Sequence, residues 1–205
     1  MKDQKEIWNE IYRNSAKWNK ETLNLPKIMK DKIVLEIGVG NGKTLKSIVR
    51  QKPKKIVAID ISSEAIKISK KLFPNGVEFI EEDINSIDFP RESFDIIVCY
   101  YVLNNLSEED RKKAVEKMHY LLNPAGKILF EDFVVGDFRQ NDKGKFIAEN
   151  TIEKKDGLNC HFFSIEELRS LFSEFSESNI KMKTSTPITN KPELKRKIIS
   201  GIITR

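Results

Sequence analysis

VLEIGVGNGKT, residues 34–44, closes a short apolar run with glycines at 38, 40 and 42, followed by a lysine and a threonine. Glycines on alternate positions let a backbone turn tightly and come closer to a ligand than any Cβ permits. A phosphate loop of the Walker A kind follows the pattern G-x-x-x-x-G-K-[ST]. Gly42, Lys43 and Thr44 supply its end, but Ile37 stands where the first glycine would have to be. The dinucleotide fingerprint G-x-G-x-x-G fails in turn, because Lys43 occupies the place of its third glycine. The turn is one residue short for the first pattern, and its last glycine comes one place early for the second.

Working outward from the turn, apolar runs recur at 33–37, 56–61, 77–80, 94–101 and 127–133. Segments with helical signals lie between them, the alternation of a parallel sheet covered by helices on both faces. Ser62 is placed to cap a helix carrying Ala65, Ile66 and Ser69 on one side. Ser107 and Asp110 have capping-box spacing ahead of Ala114, Val115, Met118, Leu121 and Leu122, and that helix ends at the turn Asn123-Pro124-Ala125-Gly126. His119 falls inside it and reads as structural. Beyond 133 the pattern changes. Residues 151–163 read as a hairpin turning at Asp156-Gly157, Ser164 and Glu167 as a second capping box, and 179–186 and 197–204 as closing strands. Five parallel strands, an inserted hairpin, a helix and two closing strands with an antiparallel edge are expected.

The chain has 205 residues, 39% of them hydrophobic, and a formal net charge of +5. That length suits one domain with a sizeable core. No apolar stretch approaches about eighteen residues, and the start of the chain lacks a signal-peptide core, so a soluble cytoplasmic protein is expected. Two cysteines and two histidines provide neither a disulfide framework nor metal-ligand spacing, so no metal is expected. Basic residues gather from Lys43 to Lys55 with no acid among them.

Glu36, Gly38, Gly40 and Gly42 in "VLEIGVGNG" resemble motif I of the class I S-adenosylmethionine (SAM)-dependent methyltransferases. Later motifs follow in the order of that family: Asp60 in "IVAIDIS", Asp83 in "VEFIEEDIN", the strand-four piece "FDIIVCYYVLNNL" and the turn in "LLNPAGKILFEDF". The resemblance implies a Rossmann-like α/β fold with a mostly parallel seven-stranded sheet, and SAM as cofactor. It implies that Gly38 and Gly40 approach the ligand and that Glu36 braces the turn or reaches the ligand's amino group. Asp60, followed by Ile61, would take the ribose hydroxyls, Asp83 the adenine amine, and Ile84 the adenine ring. Cys99 and Tyr100 would face the methionine arm.

Methyl transfer mainly requires alignment of donor and acceptor, with a base only where the acceptor must first lose a proton. Tyr101, Asn104, Asp132 and His161 are the candidates at the mouth of the site, with Tyr101, Asp132 and His161 the candidate catalytic groups. "AENTIEKKDGLNCHFFSIEELRSLF" is similar to the tail of the tRNA 3-methylcytidine methyltransferases. The stretch "WNEIYRNSAKW", with Trp8, Tyr12 and Trp18, is similar to the segment that covers SAM there, and Trp18 is expected at the cofactor. Where those enzymes carry arginines beside the Asp-Gly turn, this chain has Lys154 and Asn159, and asparagine cannot clamp a phosphate as arginine does.

Two acceptors therefore stay open, a tRNA base such as cytidine and a small molecule, with a non-catalytic SAM-binding partner protein as a third reading. For tRNA, Lys43 to Lys55 and Lys191 to Lys197 would meet phosphates, and His161, Phe162 or Phe163 would stack on an extruded base. No membrane partner is expected, and the oligomeric state is not encoded in these motifs. The expected organisation is one methyltransferase domain over 1–205, with an N-terminal cap at 1–30, a SAM-binding core at 31–133 and a substrate-side region at 134–205.

Overall fold

A computed structural model describes residues 3–14, 25–141, 144–185 and 195–205. Its first five strands are β1 (Ile33–Ile37), β2 (Lys55–Asp60), β3 (Glu78–Glu81), β4 (Phe94–Tyr100) and β5 (Leu122–Phe133). Three short strands follow, β6 (Lys145–Ala148), β7 (Thr151–Glu153) and β8 (Asn159–His161), and then β9 (Glu177–Ser185) and β10 (Arg196–Thr204). The main sheet has the order β3-β2-β1-β4-β5-β10-β9. Its first five members pair in parallel, while β10 runs antiparallel to both β5 and β9. The antiparallel strand is thus one place in from the edge rather than at it, because the returning chain enters beside β5 and β9 closes outside it.

The central strands are buried on both faces, which is why they read as continuous apolar runs. Alternate residues serve opposite layers: Val34, Ala58 and Val98 face Leu45 and Ile48 of α2 (Leu45–Val49) and Ile66 of α3 (Ser63–Leu72). Leu35, Ile37, Val57 and Ile97 face Ala114 and Met118 of α4 (Glu108–Leu121), with Leu168 of α5 (Ile165–Leu171) and Phe172 beyond them. The strand order reverses between β1 and β4, and the crevice beyond the carboxyl ends of such strands is where open α/β sheets bind ligands.

The serine caps form as the sequence suggests. Ser62 accepts from Ala65 N, Ser107 from Asp110 N and Ser164 from Glu167 N, each satisfying a helix donor worth about 1 kcal/mol. The return halves of both capping boxes are diverted. Asp110 takes the Ser107 hydroxyl at 2.7 Å, and Glu167 turns its carboxylate to His161.

Two elements lack a local sequence signal. An N-terminal helix, α1 (Gln4–Asn14), docks on α3 through Asn9, whose side-chain oxygen accepts from Ser62 Oγ at 2.8 Å and Glu64 N at 3.3 Å. The expected hairpin pairs Thr151 with His161 and Glu153 with Asn159, but β6 adds a third strand to it. All four β6 residues are exposed, so they carry no apolar alternation to betray a strand. The turn at 123–126 is a bulge within β5: pairing passes from Phe94–Leu122 to Ile96–Lys127, with Ala125 at φ +59°.

Candidate functional site

The glycine turn leaves β1 with Gly38, Gly40 and Gly42 at φ +72°, +54° and +75°, a region costly to side chains with a Cβ. Gly38 and Val39 donate their N–H groups to Ile59 O at 2.9 and 3.0 Å, which moors the turn to β2. Gly40 donates to Asp60 Oδ2 at 2.9 Å and accepts the buried Ser69 hydroxyl at 2.9 Å. A Cβ on Gly38 would lie 2.5 Å from Val102 Cγ2. The turn is therefore shaped by close approach as well as by its torsions.

Three acids surround it. Asp60 is buried and also accepts Ser62 N at 2.9 Å. Burial pushes its carboxyl up to about 6, against the pull of the two N–H donors. Glu36 is buried, its Oε2 has no hydrogen-bond partner among the described residues, and burial, then the nearby Asp60, hold its carboxyl well above the usual carboxylate range. Asp83, half-buried, accepts Asn85 N at 2.7 Å.

A cleft beyond the strand ends brings together Gly38, Asp60, Ile61, Asp83, Ile84 and Tyr101, with Trp8, Tyr12, Val102, Asn105 and Leu106 completing its wall. Trp8 and Tyr12 stand one helical turn apart on α1, so they share a face, and their rings stack at 5.7 Å. Both line the cleft. Trp18 lies outside the described residues.

Other expected site residues lie elsewhere. Cys99 is fully buried in the layer that faces α4, and burial pushes its thiol up. Tyr100 packs into the opposite layer, against α2 and α3. Neither lines the cleft, because it opens past the strand end, where the next residue, Tyr101, leaves β4 at φ +59°. Tyr101 donates its hydroxyl to Glu131 Oε1 and receives Arg196 Nη2 at 2.9 Å. Burial, then Glu131, hold its phenol above the usual range. Glu131 and Arg196 were not legible as the two partners of Tyr101, since they come from different strands far apart in the chain.

Asp132 is fully buried beneath this surface and accepts Asn104 N at 3.1 Å and Phe133 N at 2.9 Å. Burial pushes its carboxyl up to about 8. His161 lines a second cleft of about 750 Å³ between α4, the three-stranded sheet and α5. Its Nε2 meets Glu167 Oε2 at 2.8 Å and its Nδ1 meets Thr151 Oγ1 at 2.8 Å. Arg111, over the Phe163 ring, reaches the same Glu167 at 3.6 Å. Tyr101, Asp132 and His161 therefore do not converge on one point. Phe162 and Phe163 are fully buried and belong to the core, unable to stack on a base.

Among the described residues, no group of three or more histidine, cysteine or acidic side chains is arranged to hold a metal ion. No helix among them is long and apolar enough to cross a membrane.

Residues 34–126 match the family model described as a methyltransferase domain. A tRNA(Thr) (cytosine(32)-N(3))-methyltransferase of Saccharomyces cerevisiae is 27% identical over 178 residues, covering 79% of this chain and 28% of that protein. A tRNA N(3)-cytidine methyltransferase of Danio rerio is 30% identical over 152 residues, 68% of this chain and 43% of that one. The chain thus spans less than half the length of these two relatives. A SAM-dependent methyltransferase structure from Methanosarcina mazei superposes with a TM-score of 0.74 at 21% identity, covering 89% of this chain and 99% of that one. Residues 34–126 thus match a methyltransferase domain, and the chain has the Rossmann-like α/β fold of the class I methyltransferase structures it resembles.

Proposed function

We propose that this chain is a SAM-dependent methyltransferase acting as one domain, and that its acceptor is a cytidine base of tRNA. The observation that carries the cofactor reading is the cleft at the sheet reversal, where Gly38, Asp60 and Asp83 meet under Trp8 and Tyr12. Its chemistry fits the cofactor. Among the described residues Glu36 Oε2 is a buried acceptor without a donor, suited to an ammonium group, and the glycine turn leaves no Cβ in the way. Asp60 already holds two backbone donors, yet a carboxylate has lone pairs for about four, which leaves capacity for ribose hydroxyls. Asp83 and Ile84 would hold the adenine end, one by hydrogen bonding and one by packing. When bound, SAM supplies an activated methyl group; the residues of the chain orient it and exclude water.

The tRNA acceptor rests on the two relatives, both named for methylation of tRNA cytidine. A small-molecule acceptor is the second reading, favoured by the burial of Phe162 and Phe163, which removes the expected stacking platform. The test is incubation with methyl-labelled SAM and, separately, total tRNA and a metabolite extract. Label in tRNA that maps to 3-methylcytidine supports the proposal, whereas label confined to metabolites supports the second reading. SAM binding without transfer to either identifies a non-catalytic binding protein.

A further inference from the structure

Resting on the cytidine reading above, we propose that Glu131 is the residue that balances the positive charge the base acquires, through the exocyclic amine next to N3, while Tyr101 and Arg196 hold its carboxylate in position. Neutral cytosine carries a lone pair and no proton at N3, so the transfer needs no general base. That lone pair forms the new bond to the methyl carbon, and the pair of the broken carbon–sulfur bond stays on sulfur. No proton moves. The base gains the formal positive charge, shared between N3 and the exocyclic amine. A negative group fixed beside that amine is then worth more in the transition state than in the ground state.

Glu131 lies near the carboxyl end of β5, opposite Tyr100 of β4 and Ser200 of β10. Tyr101, on the wall of the cofactor cleft, is tied to Glu131 twice. Its N–H donates to Glu131 O at 2.8 Å, and its hydroxyl donates to Glu131 Oε1. These bonds hold Tyr101 at φ +59°, a conformation that is costly for a bulky residue and concentrates at functional sites. From the other side Arg196 donates Nη2 to the same phenol at 2.9 Å and lies 5.9 Å over its ring. The phenol oxygen bridges the two charges. Among the described residues Arg196 Nε is buried without a hydrogen-bond partner, an unmet donor of a kind that is uncommon away from functional sites. A carboxylate accepting from the cytosine amine is also an established base-reading contact.

The test compares the full chain with its Glu131→Gln variant in two measurements. One is the rate of 3-methylcytidine formation in tRNA. The other is the affinity for two RNA hairpins that differ only in carrying cytidine or cationic 3-methylcytidine at the modified position. The wild type is expected to prefer the cationic hairpin by about tenfold, and Glu131→Gln to lose that preference and about 30-fold or more in kcat, with unchanged SAM affinity and melting temperature. Tyr101→Phe, which keeps the carboxylate but frees it, serves if the first variant fails to fold, and a loss of about fivefold in kcat is expected. Normal 3-methylcytidine formation by the variant, with the preference intact, overturns the role of Glu131 alone. A wild type that makes no 3-methylcytidine overturns the cytidine reading and this proposal with it.

Discussion

The hydroxyl of Tyr12 stands 2.6 Å from the point a Cβ on Gly40 would occupy, so the N-terminal helix and the glycine turn are fitted to one another. Gly40→Ala would have to push Tyr12 aside while holding φ near +54°. A stability loss of about 1–2 kcal/mol is expected, with a larger proportional loss of SAM affinity. Thermal melts beside calorimetric titration with SAM check this, and unchanged affinity would show that Tyr12 is not part of the cofactor wall.

Asp60→Ala removes the acceptor for Gly40 N and Ser62 N together with the proposed ribose contact. SAM binding is expected to weaken by about 1–3 kcal/mol. Exposed Lys43 lies in the same turn, and Lys43→Ala is expected to change affinity by less than about 0.5 kcal/mol. Calorimetry on both variants decides the matter: collapse for Lys43→Ala and no change for Asp60→Ala would point to a phosphate loop instead.

Asp132 sets a pH dependence whose sign follows from its burial. Its carboxyl is pushed from 3.8 up to about 8, so across that window the folded chain keeps a proton that the unfolded chain has released. The stability contributed by this group is therefore present at low pH and falls as pH rises toward 8. Asp132→Asn, which cannot ionise, should gain on the wild type steadily between pH 5 and pH 8. Denaturant melts over that range are the check, and parallel curves for the two proteins would contradict it.

Glu167 holds His161 at 2.8 Å and Arg111 at 3.6 Å, both of which are buried. Glu167→Ala leaves both without it, at an expected cost of about 1–2 kcal/mol, kept modest because the carboxylate is 31% exposed. SAM affinity should not move, since this trio lines the second cleft. Melting curves together with a SAM titration separate the two effects, and a shared loss of stability and affinity would join the clefts functionally.

Much of the core was readable because its determinants are local. Buried parallel strands announce themselves as unbroken apolar runs, serines announce helix starts, and the spacing of Glu36, Gly38, Gly40 and Gly42 excludes the two phosphate-binding patterns by residue count alone. Local pattern is less reliable at the edge of an element. "FDIIVCYYVLNNL" marks β4 well but points to Cys99 and Tyr100, whereas the left-handed backbone at Tyr101 hands the cleft wall to the next residue. The spacing of Ser164 and Glu167 is that of a capping box, yet His161 draws the carboxylate away.

By itself, then, the sequence determined the alternation of strands and helices, the glycine turn and the acids that follow it, since each depends on neighbours within a few positions. Tertiary structure alone decided that β10 runs between β5 and β9, that α1 docks on α3 through Asn9, and that Arg196 meets Glu131 through Tyr101. These are pairings between distant parts of the chain. They are selected by which faces remain to be buried once the sheet has formed, and no short stretch carries that information.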